Sequence, residues 1–308
     1  MSVAHSRHAS RAPLAVRVAL PIGVLFTAIA CLATLGGLLA EESVVRELPA
    51  PVAAMALPQI DVATTAAANP CADETVLAAL DSGDDAATIA AFGGGGEFRA
   101  AVVAGNARCV ALDDPSHVWV VVNKQRSLNR IDYAPPTLTE SSLRGTSRSV
   151  SMDPEAAEAL GRMADAAQAA GAGVIGINNA YRSYRLQQVT HASIVRSDGP
   201  EEADARSARP GHSEHQTGFA VDVVACASAC GAIAQFAGTA QSAWVSEHAW
   251  EHGFIVRYEH GATGTTGYIP EPWHLRYIGP ELAAAYNQGG FHTLEAFFGL
   301  PAAADYAH

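Results

Sequence analysis

From Val18 to Ala40 the chain runs through twenty-three residues without a single charge. As a helix rising about 1.5 Å per residue this segment reaches roughly 34 Å, long enough to cross a bilayer core. The residues before it carry Arg7, Arg11 and Arg17 and no acid, whereas Glu41, Glu42 and Glu47 follow. The excess of arginine on one side orients such a helix with its N-terminus in the cytoplasm. A cleaved signal peptide is the alternative, but its apolar stretch is typically only about 7–15 residues long. Leu38 also stands where a small residue is wanted ahead of a cut after Ala40. The reading is therefore a cytoplasmic tail at 1–17, a transmembrane signal anchor at 18–40, and an exported remainder.

Cysteine usage agrees with export. Cys31 lies in the apolar run, and Cys71, Cys109, Cys226 and Cys230 remain outside. Four cysteines in an oxidising compartment allow two disulfides in three connectivities. Proximity favours Cys71–Cys109 with Cys226–Cys230. A zinc site on Cys226-x3-Cys230 is the competing reading, but no second Cys or His pair at finger spacing accompanies it.

With 19 basic and 31 acidic residues the net charge is −12, which argues against a nucleic-acid partner. The 49% apolar and 16% charged content excludes a disordered chain. Residues 41–69 are rich in Ala, Pro, Thr and Val without periodicity and read as a linker. Residues 70–110 read as a small disulfide-closed helical module around VLAAL and TIAAF, and 111–308 as the main domain.

Within that domain, His117–Val122 is apolar and β-branched and predicts a strand. Asp153-Pro154 caps a helix with Leu160, Met163 and Ala167 at helical spacing. Val174–Ile177 predicts a strand, and Ser183 caps a helix expected to turn Leu186, Val189 and Ile194 inward. Residues 197–214, with their acids at 201–204, read as a solvated loop. Strands follow at 218–224, 254–258 and 273–277, with helices at 242–252 and after Pro280. Helices and strands mix without βαβ alternation, so the fold class is α+β.

Two segments carry chemistry. Ser213–Asp222 reads SEHQTGFAVD and Glu271–Tyr277 reads EPWHLRY. Asp222 is an acid inside apolar alternation, where an unpaired carboxylate is costly. A metal would explain it: His215, Asp222 and His274 supply the two imidazoles and carboxylate that suit catalytic zinc, which keeps a further position for water. Pro270 and Pro272 exclude a regular helix around Glu271. Glu271 can still reach that water as general base. The pair His248-x3-His252 has metal spacing but no acid/base residue of its own, and nearby Trp244 suggests helix packing. Trp273 reads as core packing or, alternatively, as a groove wall.

Tyr181-Arg182-Ser183-Tyr184-x-x-Gln187, Ser213-x-His215-x-x-Gly218-x-Ala220-x-Asp222 and Glu271-x-x-His274, in that order, resemble the zinc D-alanyl-D-alanine carboxypeptidases of the VanY type over roughly residues 111–290. The resemblance implies a hedgehog/D,D-peptidase-like fold, a central and mainly antiparallel sheet flanked by helices. It implies zinc on His215, Asp222 and His274, and hydrolysis of the terminal D-alanine from peptidoglycan stem peptides; a monomer is expected, although the sequence carries no signal for oligomeric state. Glu271 would be the catalytic base, and Arg182 would hold either the oxyanion or the substrate carboxylate, with Ser213 and Gln187 as further substrate contacts. An L,D-carboxypeptidase, a D,D-dipeptidase or endopeptidase, and a non-catalytic wall-binding zinc module are the alternatives. A serine D,D-peptidase is excluded, because Lys124 is the sole lysine and Val121 stands where its Ser-x-x-Lys serine should be. The four exported cysteines, read as paired, leave no thiol for a cysteine hydrolase.

Overall fold

The computed structural model describes residues 69–147 and 149–307. The expected tail, the apolar run 18–40 and all but the last residue of the linker lie outside the described residues. Among the described residues no helix is long and apolar enough to cross a membrane.

Three short helices come first: α1 (Glu74–Ser82), α2 (Asp85–Ala91) and α3 (Gly95–Val103). Asp73 and Asp84 cap the first two, accepting from the amides of Thr75 (2.7 Å) and Ala87 (2.9 Å). Acceptors there satisfy donors that a helix start leaves open. The expected Cys71–Cys109 disulfide closes the segment. Gly95 starts α3 where a Cβ would fall 2.2 Å from the Glu281 carbonyl oxygen. Only glycine lets α3 approach α9 (Pro280–Gln288) so closely. Ile89 and Phe98 join the same apolar cluster as Trp119 and Leu282, and Asp85 bonds His117 Nδ1 (2.6 Å) and the Val118 amide (2.7 Å).

His117–Val122 is not a strand. It is an irregular segment, buried from Val118 to Val122, and the carbonyls of Val118 and Val120 accept from Arg276 Nη2 at 2.9 and 3.0 Å instead of from a neighbouring strand. The guanidinium does the work of a ladder, so apolarity alone misassigned the segment.

A two-stranded ribbon, β1 (Thr139–Glu140) with β2 (Ser151–Met152), leads into α4 (Pro154–Ala169). Asp153 caps α4 through the amides of Glu155 and Ala156, and Ala156, Leu160, Met163 and Ala167 bury one stripe. The main sheet holds β3 (Val174–Asn179), β4 (Ala220–Cys226), β5 (Phe254–Tyr258) and β6 (Glu271–Tyr277). Its order is β3-β4-β6-β5, and every pairing is antiparallel. The fold is α+β, as expected. Cys226–Cys230 closes the end of β4. A Cβ on Gly176 of β3 would meet Cys226 Sγ at 2.5 Å and the Arg144 carbonyl at 2.8 Å.

Three helical readings change. α5 (Tyr184–Asp198) buries only Gln187, while Leu186 and Val189 are 46% and 60% exposed instead of facing inward. The expected loop at 197–214 contains α6 (Pro200–Arg206), whose Glu201 and Glu202 occupy the first turn. Acids there complement the helix dipole, so their density is a helix-start signal as well as a sign of solvation. The helix expected at 242–252 is α7 (Ala240–His248) followed by a 3-10 turn at Ala249–His252. Two short helices, α8 (Thr263–Thr266) and α10 (Leu294–Phe297), complete the described chain.

Candidate metal centre and its cleft

Register builds the centre. β4 and β6 pair so that Asp222 stands directly opposite His274, which brings Asp222 Oδ1 to 3.1 Å from His274 Nδ1. Because side chains alternate across a strand, Val221, Val223 and Leu275 then point into the apolar cluster. A 3-10 turn at Glu214–Thr217, ended by Gly218 in the left-handed region, presents His215 from the other side. His215 Nε2 lies 3.3 Å from Asp222 Oδ2, and the imidazoles stand edge to face at 4.9 Å. One donor atom from each of His215, Asp222 and His274 falls within 4.8 Å of the others, all three residues buried.

The outer nitrogens are also fixed. His215 Nδ1 donates to the Ala180 carbonyl (2.7 Å), and His274 Nε2 donates to Glu214 Oε2 (3.1 Å). His215 Nε2 and His274 Nδ1 are therefore the nitrogens that face Asp222 and are left for a metal to take, with the opposite nitrogen of each ring engaged elsewhere. Burial opposes ionisation of Asp222, yet His215 and His274 hold its carboxyl far below the usual range. Burial lowers His215, whereas on His274 the hydrogen bonds it donates to Asp222 and Glu214 outweigh burial and raise it to about 9. Two imidazoles and a carboxylate with ligand atoms this close form a donor set that fits zinc.

Glu271 opens β6 opposite Tyr258. Its Oε2 is 3.8 Å from His274 Nδ1, and burial pushes its carboxyl up to about 7. Pro272 falls where the pairing register shifts, which is where a strand tolerates proline. Arg182 Nη2 lies 3.8 Å from Asp222 Oδ2. The Asn179 carboxamide, turned with its oxygen toward the guanidinium, accepts from Arg182 Nε at 3.2 Å.

These groups line a cleft of about 270 Å³. Arg182, Ser213, His215, Asp222, Glu271 and His274 all face it, and Trp273 does so as well while packing against the core. Gln187 does not line it. It is 0% exposed, its Oε1 accepts from Arg182 Nη1 (2.8 Å), and its Nε2 donates to Ser207 Oγ (3.1 Å) and the Ala208 carbonyl (2.5 Å). With its polar atoms engaged, Gln187 holds Arg182 and is not a direct substrate contact. His248 bonds Glu251 at the surface and stacks near Trp244, away from the centre.

The motif reading passed over Glu214, which is 1% exposed. Arg257 Nε donates to its Oε1 (2.9 Å), and Arg276 Nη1 lies 3.5 Å from the same oxygen. Burial opposes its charge, but Arg257 and His274 hold the carboxyl well below its ordinary value. The available signal was Arg257 and Arg276 set among apolar strand residues, since charges there demand buried partners.

Comparison with known proteins adds lineage. The family model described as VanY, D-alanyl-D-alanine carboxypeptidase, matches residues 149–280. The Bacillus subtilis protein YodJ, assigned as a carboxypeptidase, is 36% identical over 191 residues, 61% of this chain and 69% of that protein. A D-alanyl-D-alanine carboxypeptidase of Enterococcus faecium is 31% identical over 141 residues, 46% of this chain and 42% of that protein. Among solved structures, the LD-carboxypeptidase LdcB superposes with a TM-score of 0.56 at 34% identity, covering 60% of this chain and 87% of that one.

Proposed function

The chain belongs to the VanY family of D-alanyl-D-alanine carboxypeptidases, and on that premise we propose that it is a zinc-dependent carboxypeptidase releasing the C-terminal D-alanine of peptidoglycan stem peptides. The observation that carries this reading is the joining, in one cleft, of a His215–Asp222–His274 cluster with a carboxyl group tuned to about 7, that of Glu271.

His215, Asp222 and His274 would hold the metal, through the nitrogens that face Asp222. When bound there, zinc supplies a Lewis acid for the scissile carbonyl and acidifies water. Glu271 takes the proton of the attacking water and hands it to the leaving amine of D-alanine. A carboxyl near pH 7 suits both steps, because a catalytic pKa close to the working pH serves donor and acceptor alike. Arg182, held by Gln187 and Asn179, offers a fixed guanidinium to the oxyanion or to the terminal carboxylate of the peptide. Ser213 stands beside it in the cleft as a second contact for that carboxylate, and Trp273 walls the groove.

The enzyme works outside the membrane, anchored through residues 18–40. Support comes from the uncharged run with arginines before and acids after it, and from the two disulfides. Stem peptides occupy the same compartment. The similarity to an LD-carboxypeptidase makes tetrapeptide trimming the second reading.

D-alanine release from pentapeptide and tetrapeptide stems, with chelator and with zinc restored, tests both. Chelator-sensitive release from the pentapeptide is the expected result. Release from the tetrapeptide alone assigns the L,D-reaction, and release from neither overturns both readings.

A further inference from the structure

The two histidines of the centre offer opposite nitrogens, and their outer locks differ in kind. His215 is held by a backbone carbonyl, that of Ala180, and no side-chain substitution removes it. His274 is held by a side chain, Glu214, through Nε2. We propose that Glu214 is the positioning residue that selects Nδ1 of His274 as the metal-facing atom, with Arg257 and Glu295 bracing it from behind. The proposal rests on the zinc reading above.

An ionised carboxylate only accepts hydrogen bonds, so Glu214 keeps a proton on Nε2, and Nδ1, which faces Asp222 at 3.1 Å, is the nitrogen left to lose its proton to a metal. Glu214 cannot turn away, because its second oxygen takes Arg257 Nε at 2.9 Å. Arg257 in turn grips Glu295 with two parallel bonds of 3.1 and 2.8 Å, and Glu295 also accepts from Asn123 Nδ2 at 2.9 Å. Arg276, two residues beyond His274 on β6, lies 3.5 Å from the same Glu214 oxygen. All four charged groups are 1% exposed or less. A chain of fixed contacts thus runs from α10 to one nitrogen of the metal centre.

Glu214→Gln breaks the selection while keeping the volume. Its amide either sets an NH2 against the Arg257 and Arg276 donors, or turns and donates to Nε2, which moves the His274 proton onto Nδ1. Glu295→Gln loosens the same buried cluster without touching His274. The experiment measures zinc affinity of the full-length chain by competition with a chromophoric chelator, together with D-alanine release across zinc concentrations. Glu214→Gln is expected to bind zinc about 10–100-fold more weakly and to regain much of its turnover at high zinc. Glu295→Gln is expected to lower the melting temperature and keep zinc affinity within about twofold of the parent, since the lock on His274 is intact.

Unchanged affinity in Glu214→Gln, or equal losses in the two variants, overturns the proposal. Should Glu214→Gln fail to fold, cadmium-113 NMR of the parent decides: coupling to His274 Nδ1 with a proton on Nε2 supports the assignment, and coupling to Nε2 overturns it. A parent chain that binds no zinc, with release indifferent to chelator, refutes the zinc reading itself and the proposal with it.

Discussion

Glu214 and Asp222 are both buried carboxylates bonded to His274, one on each of its nitrogens, at 1% and 7% exposure. Glu214 has guanidinium partners: Arg257 at 2.9 Å and Arg276 at 3.5 Å, with Glu295 completing two positive and two negative groups. Asp222 has two imidazoles and a guanidinium nitrogen no nearer than 3.8 Å. The first set pairs guanidiniums with carboxylates and is sealed from solvent, although Glu214 borders the cleft that Asp222 also lines, whereas the second gathers imidazoles and a carboxylate, the donor types that a metal takes. Burial of charge is therefore not what marks the functional site. What marks it is which donor types converge: two imidazoles and a carboxylate with ligand atoms within 4.8 Å of one another at a cleft.

The largest effects should come from the Asp222 side. Asp222→Ala is expected to lose bound zinc and reduce D-alanine release to background, and metal analysis beside the release assay checks both. Retained zinc with normal release would break the comparison outright. Next comes Glu271→Gln, expected to lower kcat by about 10²–10⁴-fold, the usual worth of a positioned acid/base group. Its zinc content should be unchanged, which separates proton transfer from metal retention.

The Glu214 side should answer in stability. Arg257→Met strands Glu214 and Glu295 without their shared partner and is expected to cost about 3–5 kcal/mol in urea unfolding. A loss below about 1 kcal/mol, the range of a surface pair, would mean the cluster is not the closed unit described.

The smallest effect lies at Asp85–His117, a pair nearer solvent that joins α2 to the segment beneath the sheet. Burial works against charge on His117, but the hydrogen bond and charge of Asp85 outweigh it and raise its pKa. A raised histidine contributes stability that is complete below its unfolded pKa of about 6.5 and lost as pH climbs through the folded value. Melting temperature should therefore decline as pH rises above about 6.5. Asp85→Asn should flatten that slope, and an unaltered slope would remove the pair from the account.

Much of this molecule was legible without its coordinates. Histidine and carboxylate in a fixed order named the three candidate ligands, and proline on both sides of Glu271 kept it off a helix, where the structure has strand β6. Both disulfides followed from proximity. Other features escaped because they depend on partners far along the chain. Val118 and Val120 look like strand residues until Arg276 is seen to take their carbonyls. Leu186 and Val189 follow helical spacing, yet α5 turns them to solvent and buries Gln187, since that glutamine must reach Arg182 and the carbonyl of Ala208.

By itself the sequence determined the chemistry available: which side chains could ligate, which could move a proton, and that a mixed α+β chain would carry them. Tertiary structure alone decided which atoms act. Asp222 and His274 are fifty-two residues apart, and only the β4–β6 register sets them opposite one another. A slip of one residue would turn one of them into the apolar face. The nitrogen that His274 turns to the centre is likewise set by its place between Glu214 and Asp222, which only the Glu214–Thr217 turn and the β4–β6 register bring to either side of the ring.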